Sequence, residues 1–163
     1  MMPSPKKIMT LALVHRHPQI LLGLKKEGFG AGRWNGFGGK VEEGESIEEA
    51  ARREVREECG IECDRLAKLG LLRFEFEDDP LALEVHVFKA TEYRGEPVET
   101  AEMKPQWFMV DDTPFKDMWQ DDVYWMPLFL KGRKFQGRFL FDKDHNLLNR
   151  EVREVTDESS WAR

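Results

Sequence analysis

The sequence predicts an α/β fold in which a mixed β-sheet is sandwiched between helices. Three observations carry this. Strand-like runs outnumber helical ones and are interleaved with them along the chain. One stretch, 46–59, has the capping and periodicity of an amphipathic helix. At 163 residues with 40% hydrophobic content, the chain supplies one domain with a real core.

Lys7–Val14 and Gln19–Leu24 are rich in Leu, Ile and Val, and the turn-like His15-Arg-His-Pro18 separates them, which predicts a hairpin. Lys25–Arg33 is a glycine-rich loop with Phe29 at its centre, either a plug over the core or a pocket wall. Trp34–Phe37 is a short strand. Leu66–Phe76 and Leu83–Tyr93 are strands interrupted by Asp78-Asp-Pro80, and the second alternates well. Arg94–Pro97 is a turn, and Pro105–Val110 a further strand. Asp111–Phe115 opens a loop rich in Pro and aromatic residues. Asp121–Gly132 suits a second helix if Pro127 falls in its first turn. Phe135–Phe141 and Leu147–Val152 close the sheet, leaving a polar tail from Thr156 in which Trp161 has no assigned role.

Composition narrows the function. A net charge of −6 disfavours a protein that grips long nucleic acid by its phosphates. It tolerates a small anionic substrate where metal offsets the repulsion. No run reaches the ~20 apolar residues of a membrane helix. The apolar run after Lys6-Lys7 lacks a small-residue cleavage site and reads as a strand rather than a signal peptide. Cys59 and Cys63 read as reduced thiols of a cytosolic-type chain, with a redox pair as the alternative.

The helix at 46–59 has an anomaly. Ser46 with Glu49 forms a capping box and Gly60 marks the end. At about 100° per residue, Ile47, Ala50, Ala51, Val55 and Cys59 share one arc. Glu54 and Glu58 fall inside that arc, within about 20° of Ile47, and Glu57 lies on its edge. Carboxylates in a core-facing stripe cost several kcal/mol unless compensated. At i, i+3 and i+4 they point to one place, where a hard cation such as Mg²⁺ compensates them. A solvated acidic helix is the competing reading. Favouring the cation, Trp34-Asn-Gly-Phe-Gly-Gly39 is a glycine-rich approach that lets backbone come close to a ligand.

The same stretch resembles the Nudix family. Gly39, Glu45, Arg53, Glu54, Val55, Glu57, Glu58, Gly60 and Ile61 fill the pattern G-x5-E-x7-R-E-U-x-E-E-x-G-U (U, aliphatic) without a departure over 23 residues. The resemblance implies the Nudix fold, an α/β/α sandwich, as a single domain over 1–155 with a tail from 156 to 163. It implies Mg²⁺, with Mn²⁺ as a substitute, bound by Glu54, Glu57 and Glu58 with the Gly38 carbonyl. Arg53 would orient the glutamates and Glu45 would support the helix start. A favourable acid near a helix N-terminus explains Glu45 equally well.

Further stretches are similar to the eukaryotic MutT-like branch of that family: 22–26, 28–40, Val85-His-Val-Phe88 and Pro114–Trp119, within about 8–155. Members of the branch hydrolyse oxidised purine nucleoside triphosphates, 8-oxo-dGTP and 2-hydroxy-dATP, to monophosphate and pyrophosphate, sanitising the nucleotide pool. The likeness implies that Glu102 joins the catalytic carboxylates, whereas its own position before a strand reads as solvated. It implies a base pocket with Trp119 stacking, Asn35, Asp121 and Asp122 reading base edges, and Phe29, Phe74, Leu83, Met103 and Trp125 as walls. Thr10 and Lys25 would line the mouth, with Gly38 and Gly39 at the phosphate end. Position 83 carries Met in the resembled enzymes, so that wall is altered. Taken alone, Asp121 and Asp122 equally suit helix N-capping. The expected protein is a monomer in the cytoplasm, with mitochondrial matrix and nucleus as further locations. The alternatives are a Nudix hydrolase for ADP-ribose or a methylated purine triphosphate, and a non-catalytic nucleotide-binding module.

Overall fold

The computed structural model describes residues 5–156; Trp161 and the rest of the expected tail beyond Thr156 lie outside them. Strands β1 (Lys6–Arg16) and β2 (Gln19–Lys25) form the expected hairpin, with Val14 opposite Leu21 and Arg16 opposite Gln19. β3 (Trp34–Asn35) stops two residues short of the expected Phe37. From there the chain leaves β2 and bridges β1 instead, Phe37 opposite Ala12 and Lys40 opposite Met9. That change of partner carries Gly38 and Gly39 across the end of the next helix.

Helix α1 (Ile47–Cys59) has the predicted capping box. Ser46 Oγ accepts from Glu49 N at 3.1 Å, and the Glu49 carboxylate accepts from Ser46 N at 3.4 Å. Gly60 ends the helix in the left-handed region, φ 79°. Strands β4 (Glu62–Phe76) and β5 (Asp79–Arg94) are longer than the alternation predicts. Asp78-Asp-Pro80 does not separate them; the chain reverses at Glu77 and Asp78, and Asp79 already pairs with Phe76. Pro80 is tolerated because β1 first pairs with β5 at Ala82.

Strand β6 (Met103–Met109) pairs with β2 along its full length. Helix α2 (Asp122–Leu130) is shorter than expected. Pro127 sits in its second turn rather than its first, so the helix forgoes an internal hydrogen bond. Nor does Asp121 cap it with its side chain, against the capping expectation. Strands β7 (Phe135–Phe141) and β8 (Leu147–Glu154) complete the sheet. Its order is β3-β2-β1-β5-β4-β7-β8, with β6 against β2. β1–β5 and β4–β7 are parallel and the other pairs antiparallel.

Two cores sandwich this mixed sheet. Ala51, Val55 and Cys59 of α1 pack on Ala12, Val14, Phe37, Phe88 and Ala90. Trp125, Met126 and Phe129 of α2 pack on Leu72, Val87, Phe135 and Phe139. The α/β/α arrangement read from the sequence is the arrangement observed. Cys59 and Cys63 are free and buried, and burial pushes their thiols up to about 12 and about 11. Neither is a reactive thiolate at neutral pH.

Replacing Ser46 by Ala removes the acceptor of the capping box and leaves Glu49 N unpaired. The expected cost is about 1 kcal/mol, read as a melting temperature lowered by about 2–4 °C. An unchanged melting temperature would mean that packing alone fixes the start of α1.

Candidate active site

The inward carboxylates are where the helical spacing puts them. Glu58 is only 7% exposed, and its Oε1 accepts from Gly38 N at 2.9 Å. The Glu54 side chain is 13% exposed and lies against Gly39. A Cβ on Gly39 would stand 2.7 Å from the Glu54 carboxylate, and one on Gly38 would stand 1.8 Å from the Thr10 carbonyl oxygen. Only glycine at 38 lets this backbone pass so close to β1, and a side chain at 39 would push the Glu54 carboxylate aside.

Burial, then the charge of Glu54, pushes the Glu58 carboxyl up to about 8, with a smaller contribution from Glu102. Burial also raises the Glu54 carboxyl, against the pull of Arg53 and with Glu57 and Glu102 adding to the rise. Glu102 is exposed, at the start of β6, and its charge is felt by both.

Arg53 is the cation of this cluster. It donates to Glu45 at 2.7 and 3.0 Å, to Glu54 at 2.8 Å, to Glu57 at 3.2 Å and to the Lys40 carbonyl at 3.2 Å. The Arg53 bonds hold the Glu45 carboxyl down at about 2. Glu45 also accepts from Glu42 N, so it fastens the segment leading into α1 to the helix itself.

The convergence expected of Glu54, Glu57 and Glu58 is not formed as a finished cage. Among the described residues no three acidic, histidine or cysteine side chains surround one point. The physical reason is Arg53. It draws Glu54 and the half-exposed Glu57 to itself, while Glu58 turns to the Gly38 peptide. The donor set nonetheless fits a divalent cation: carboxylate oxygens and a peptide carbonyl from one helix edge and the strand beside it, with one arginine shared among three acids.

Next to this edge a cleft of about 890 Å³, its solvent mouth included, runs into the molecule towards α2. Thr10, Lys25, Phe29, Asn35, Gly38, Gly39, Glu58, Phe74, Leu83, Met103, Trp119, Asp121 and Asp122 all line it. Arg53, Glu54, Glu57 and Glu102 do not: the first three belong to α1, and Glu102 immediately precedes β6. Trp125 is a correction to the expected walls. It is 1% exposed and stacks on Phe135 with centroids 5.4 Å apart, inside the core. Its role is indirect, since its indole N–H donates to Asp121 Oδ2 at 2.8 Å.

Asp121 and Asp122 are buried side by side and hydrogen-bond to each other. Burial raises both carboxyls, and the negative charge of Asp121 raises Asp122 further. The Trp125 N–H favours charge on Asp121, so Asp122 keeps the proton. Asp122 Oδ2 is buried without a partner in the protein. An orphaned oxygen beside a cleft is poised for a ligand.

Sequence reasoning missed several lining residues, among them Phe76, Val85 and Phe141. The inward alternation of β5, which places Val85 beside Leu83, was the signal available for one of them. Phe76 and Phe141 stand at strand ends on stacked rings 5.7 Å apart, a contact between strands distant in sequence.

Comparison with known proteins identifies the family to which this chain and its fold belong. The model of the NUDIX domain family matches residues 6–129. The mouse protein named oxidized purine nucleoside triphosphate hydrolase is 51% identical over 152 residues, covering 93% of this chain and 97% of the mouse protein. The zebrafish protein of that name is 50% identical over 151 residues, with the same coverage of each chain. The crystal structure of a MutT protein from Bacillus halodurans superposes with a TM-score of 0.81 at 30% identity, covering 90% of this chain and 97% of that one. Matched along most of its length by both sequence and fold, the chain belongs to the Nudix family.

Proposed function

We propose that this chain hydrolyses oxidised purine nucleoside triphosphates, such as 8-oxo-dGTP and 2-hydroxy-dATP, to the monophosphate and pyrophosphate, with Mg²⁺ as the working cation. The observation that carries the reading is that Glu58 and the Asp121–Asp122 pair line one cleft. A nucleotide laid along it has its phosphates at the carboxylate edge and its base at the aspartates. The mouse and zebrafish relatives bear the name of this activity at about half identity.

At the phosphate end, Glu54, Glu57 and Glu58, with the Gly38 carbonyl and Glu102, would hold the cations. Bound there, a divalent cation offsets phosphate charge and eases deprotonation of the attacking water. Arg53 keeps Glu54 and Glu57 on the substrate side of α1, a positioning role that needs no contact with the nucleotide. Lys25, on the cleft wall, supplies positive charge to the triphosphate. Water attack then cleaves the α–β anhydride, and pyrophosphate leaves.

At the base end, recognition needs flat apolar walls and a few polar readers. Phe74, Leu83, Met103 and Trp119 provide the walls. Asn35 spends its Oδ1 on Gly36 N at 2.9 Å, which leaves its amide N–H₂ to face the cleft. Protonated Asp122 donates and ionised Asp121 accepts. Moving the shared proton between them exchanges those roles, which lets one pocket read an oxidised guanine and an oxidised adenine.

A pyrophosphate-release assay over 8-oxo-dGTP, 2-hydroxy-dATP, a methylated purine triphosphate, dGTP and ADP-ribose tests this reading. The oxidised purines should give the highest kcat/KM, and a maximum at ADP-ribose would contradict it. Glu58→Gln should lower kcat by about 10²-fold or more while the melting temperature stays at or above the wild-type value. Wild-type turnover by that variant would remove Glu58 from the chemistry.

Asp122 also makes a pH prediction. Its carboxyl is raised in the folded chain, so the folded state holds a proton that the unfolded state releases above the ordinary value of 3.8. Its stabilising contribution is complete below that value and is lost as pH rises towards the folded-state value. Asp122→Asn keeps a donor and cannot ionise. The melting temperature of Asp122→Asn relative to wild type should therefore climb steadily from pH 4 to pH 8. A pH-independent difference would show that Asp122 is charged in the folded protein.

A further inference from the structure

The turn between β7 and β8, Asp142–Asn146, belongs to neither the carboxylate edge nor the lining of the cleft, yet it is built with unusual care. Asp142 Oδ1 accepts from Asp144 N at 2.8 Å and Asn146 N at 2.9 Å, and the backbone pairs Asp142 N with the Asn146 carbonyl at 2.9 Å. A second set of bonds ties this turn to the segment carrying Trp119. Gln120 Oε1 accepts from Leu147 N at 2.8 Å, and Gln120 Nε2 donates to Asn146 Oδ1 at 3.5 Å.

At the tip of the turn stands His145, with φ 65°, the non-glycine residue of the described chain in the left-handed region. That backbone state is disfavoured in a non-glycine residue, and such outliers gather where function over-determines the backbone. What the strained turn achieves is the placement of one ring. The His145 imidazole lies 4.7 Å from Trp119, 5.1 Å from Phe29 and 6.1 Å from Phe76, centroid to centroid. All three of those aromatics line the cleft, and His145 itself does not.

Phe29 needs such support. It is 54% exposed, and it sits between Gly28 and Gly30, both at φ 85°. Trp119 is held from other directions by Phe141 at 5.5 Å and by the Arg33 guanidinium at 4.3 Å. Phe29 and Trp119 also touch each other, with centroids 5.1 Å apart, and His145 backs both rings from outside.

We infer that the 142–146 turn is an outer wall of the base pocket and that His145 is a positioning residue for base affinity, setting Phe29 and Trp119 in place without touching the nucleotide. The inference rests on the base lying at this end of the cleft. It assigns a share of base affinity to a turn residue outside the lining of the cleft. Its effect belongs to the base end, so the phosphate end and the chemical step are indifferent to it.

The test compares wild type with His145→Asn. Asn tolerates the left-handed backbone, so the turn survives and only the ring is lost. The loss of edge and face contacts to two pocket aromatics should raise KM for 8-oxo-dGTP about 3- to 10-fold, with kcat within about 2-fold of wild type. Inhibition by inorganic triphosphate, which has no base, should be unchanged. Combining His145→Asn with Phe29→Ala should raise KM by less than the product of the two single effects, because both act through one contact. An unchanged KM, a loss confined to kcat, or an equal loss of triphosphate inhibition would overturn the proposal. Should wild type prefer another purine nucleotide, the substrate reading fails by itself, and the same ratios measured on that nucleotide still decide the role of His145.

Discussion

The site depends on two glutamates facing a strip of bare backbone. Glu58 is bound to the Gly38 N–H, and Glu54 rests on Gly39, where any side chain would displace it. Burying carboxylates this way is unfavourable in an ordinary helix, and that burial pushes the Glu58 carboxyl up to about 8. Much of the surrounding structure serves to keep the arrangement in place. The capping box fixes the start of α1, the Gly60 turn fixes its end, and the departure of the chain from β2 to β1 lays the glycines across it. Arg53 then ties Glu45, Glu54 and Glu57 together, so that cation binding is a redistribution of existing bonds rather than an assembly of loose side chains.

At its inner end the cleft repeats the same physics with different groups. There too a carboxylate pair is buried, but sharing a proton replaces a cation as the remedy. Trp125, hidden in the α2 core, biases that proton by donating to Asp121, and Asp122 is left as a neutral acid with an open oxygen. One end of the cleft thus holds acids whose charge a bound metal would neutralise, and the other holds acids that share a proton. On the proposed reading, phosphate and base meet these two solutions to a single problem within one cleft.

How much of this was legible in the sequence follows from the range of the interactions. The α1 site was readable because capping, helical spacing and the glycine approach are all local, and the inward arc at Glu54 and Glu58 could be placed from geometry alone. Arg53, expected to orient the glutamates, is also within one helical turn of them, but only the structure shows that it draws Glu54 and Glu57 to itself. Asp121 was ambiguous, since an acid before a helix suits a cap. The i, i+4 relation to Trp125 was the signal that the residue faces inward instead. The family resemblance implies Trp125 as a wall, and only its packing against Phe135 shows it to belong to the core. The strand start at Glu62 is set by pairing with Arg94, far along the chain, whereas Asp79 pairs with Phe76 across a tight reversal that takes up part of the turn-forming Asp-Asp-Pro. His145 was invisible, because nothing in a polar turn announces a ring folded back on Trp119.

The central claim is that α1 turns its glutamates inward to meet a divalent cation beside the Gly38 peptide. Crystals of the wild-type protein soaked in Mn²⁺ and measured for anomalous scattering test it most directly. The account predicts an anomalous peak within coordination distance of Glu54, Glu57 or Glu58 and of the Gly38 carbonyl, with Glu57 released from Arg53. A fully occupied Mn²⁺ elsewhere on the protein, with Glu54 and Glu57 still bound to Arg53 and Glu58 still on the Gly38 N–H, would contradict it.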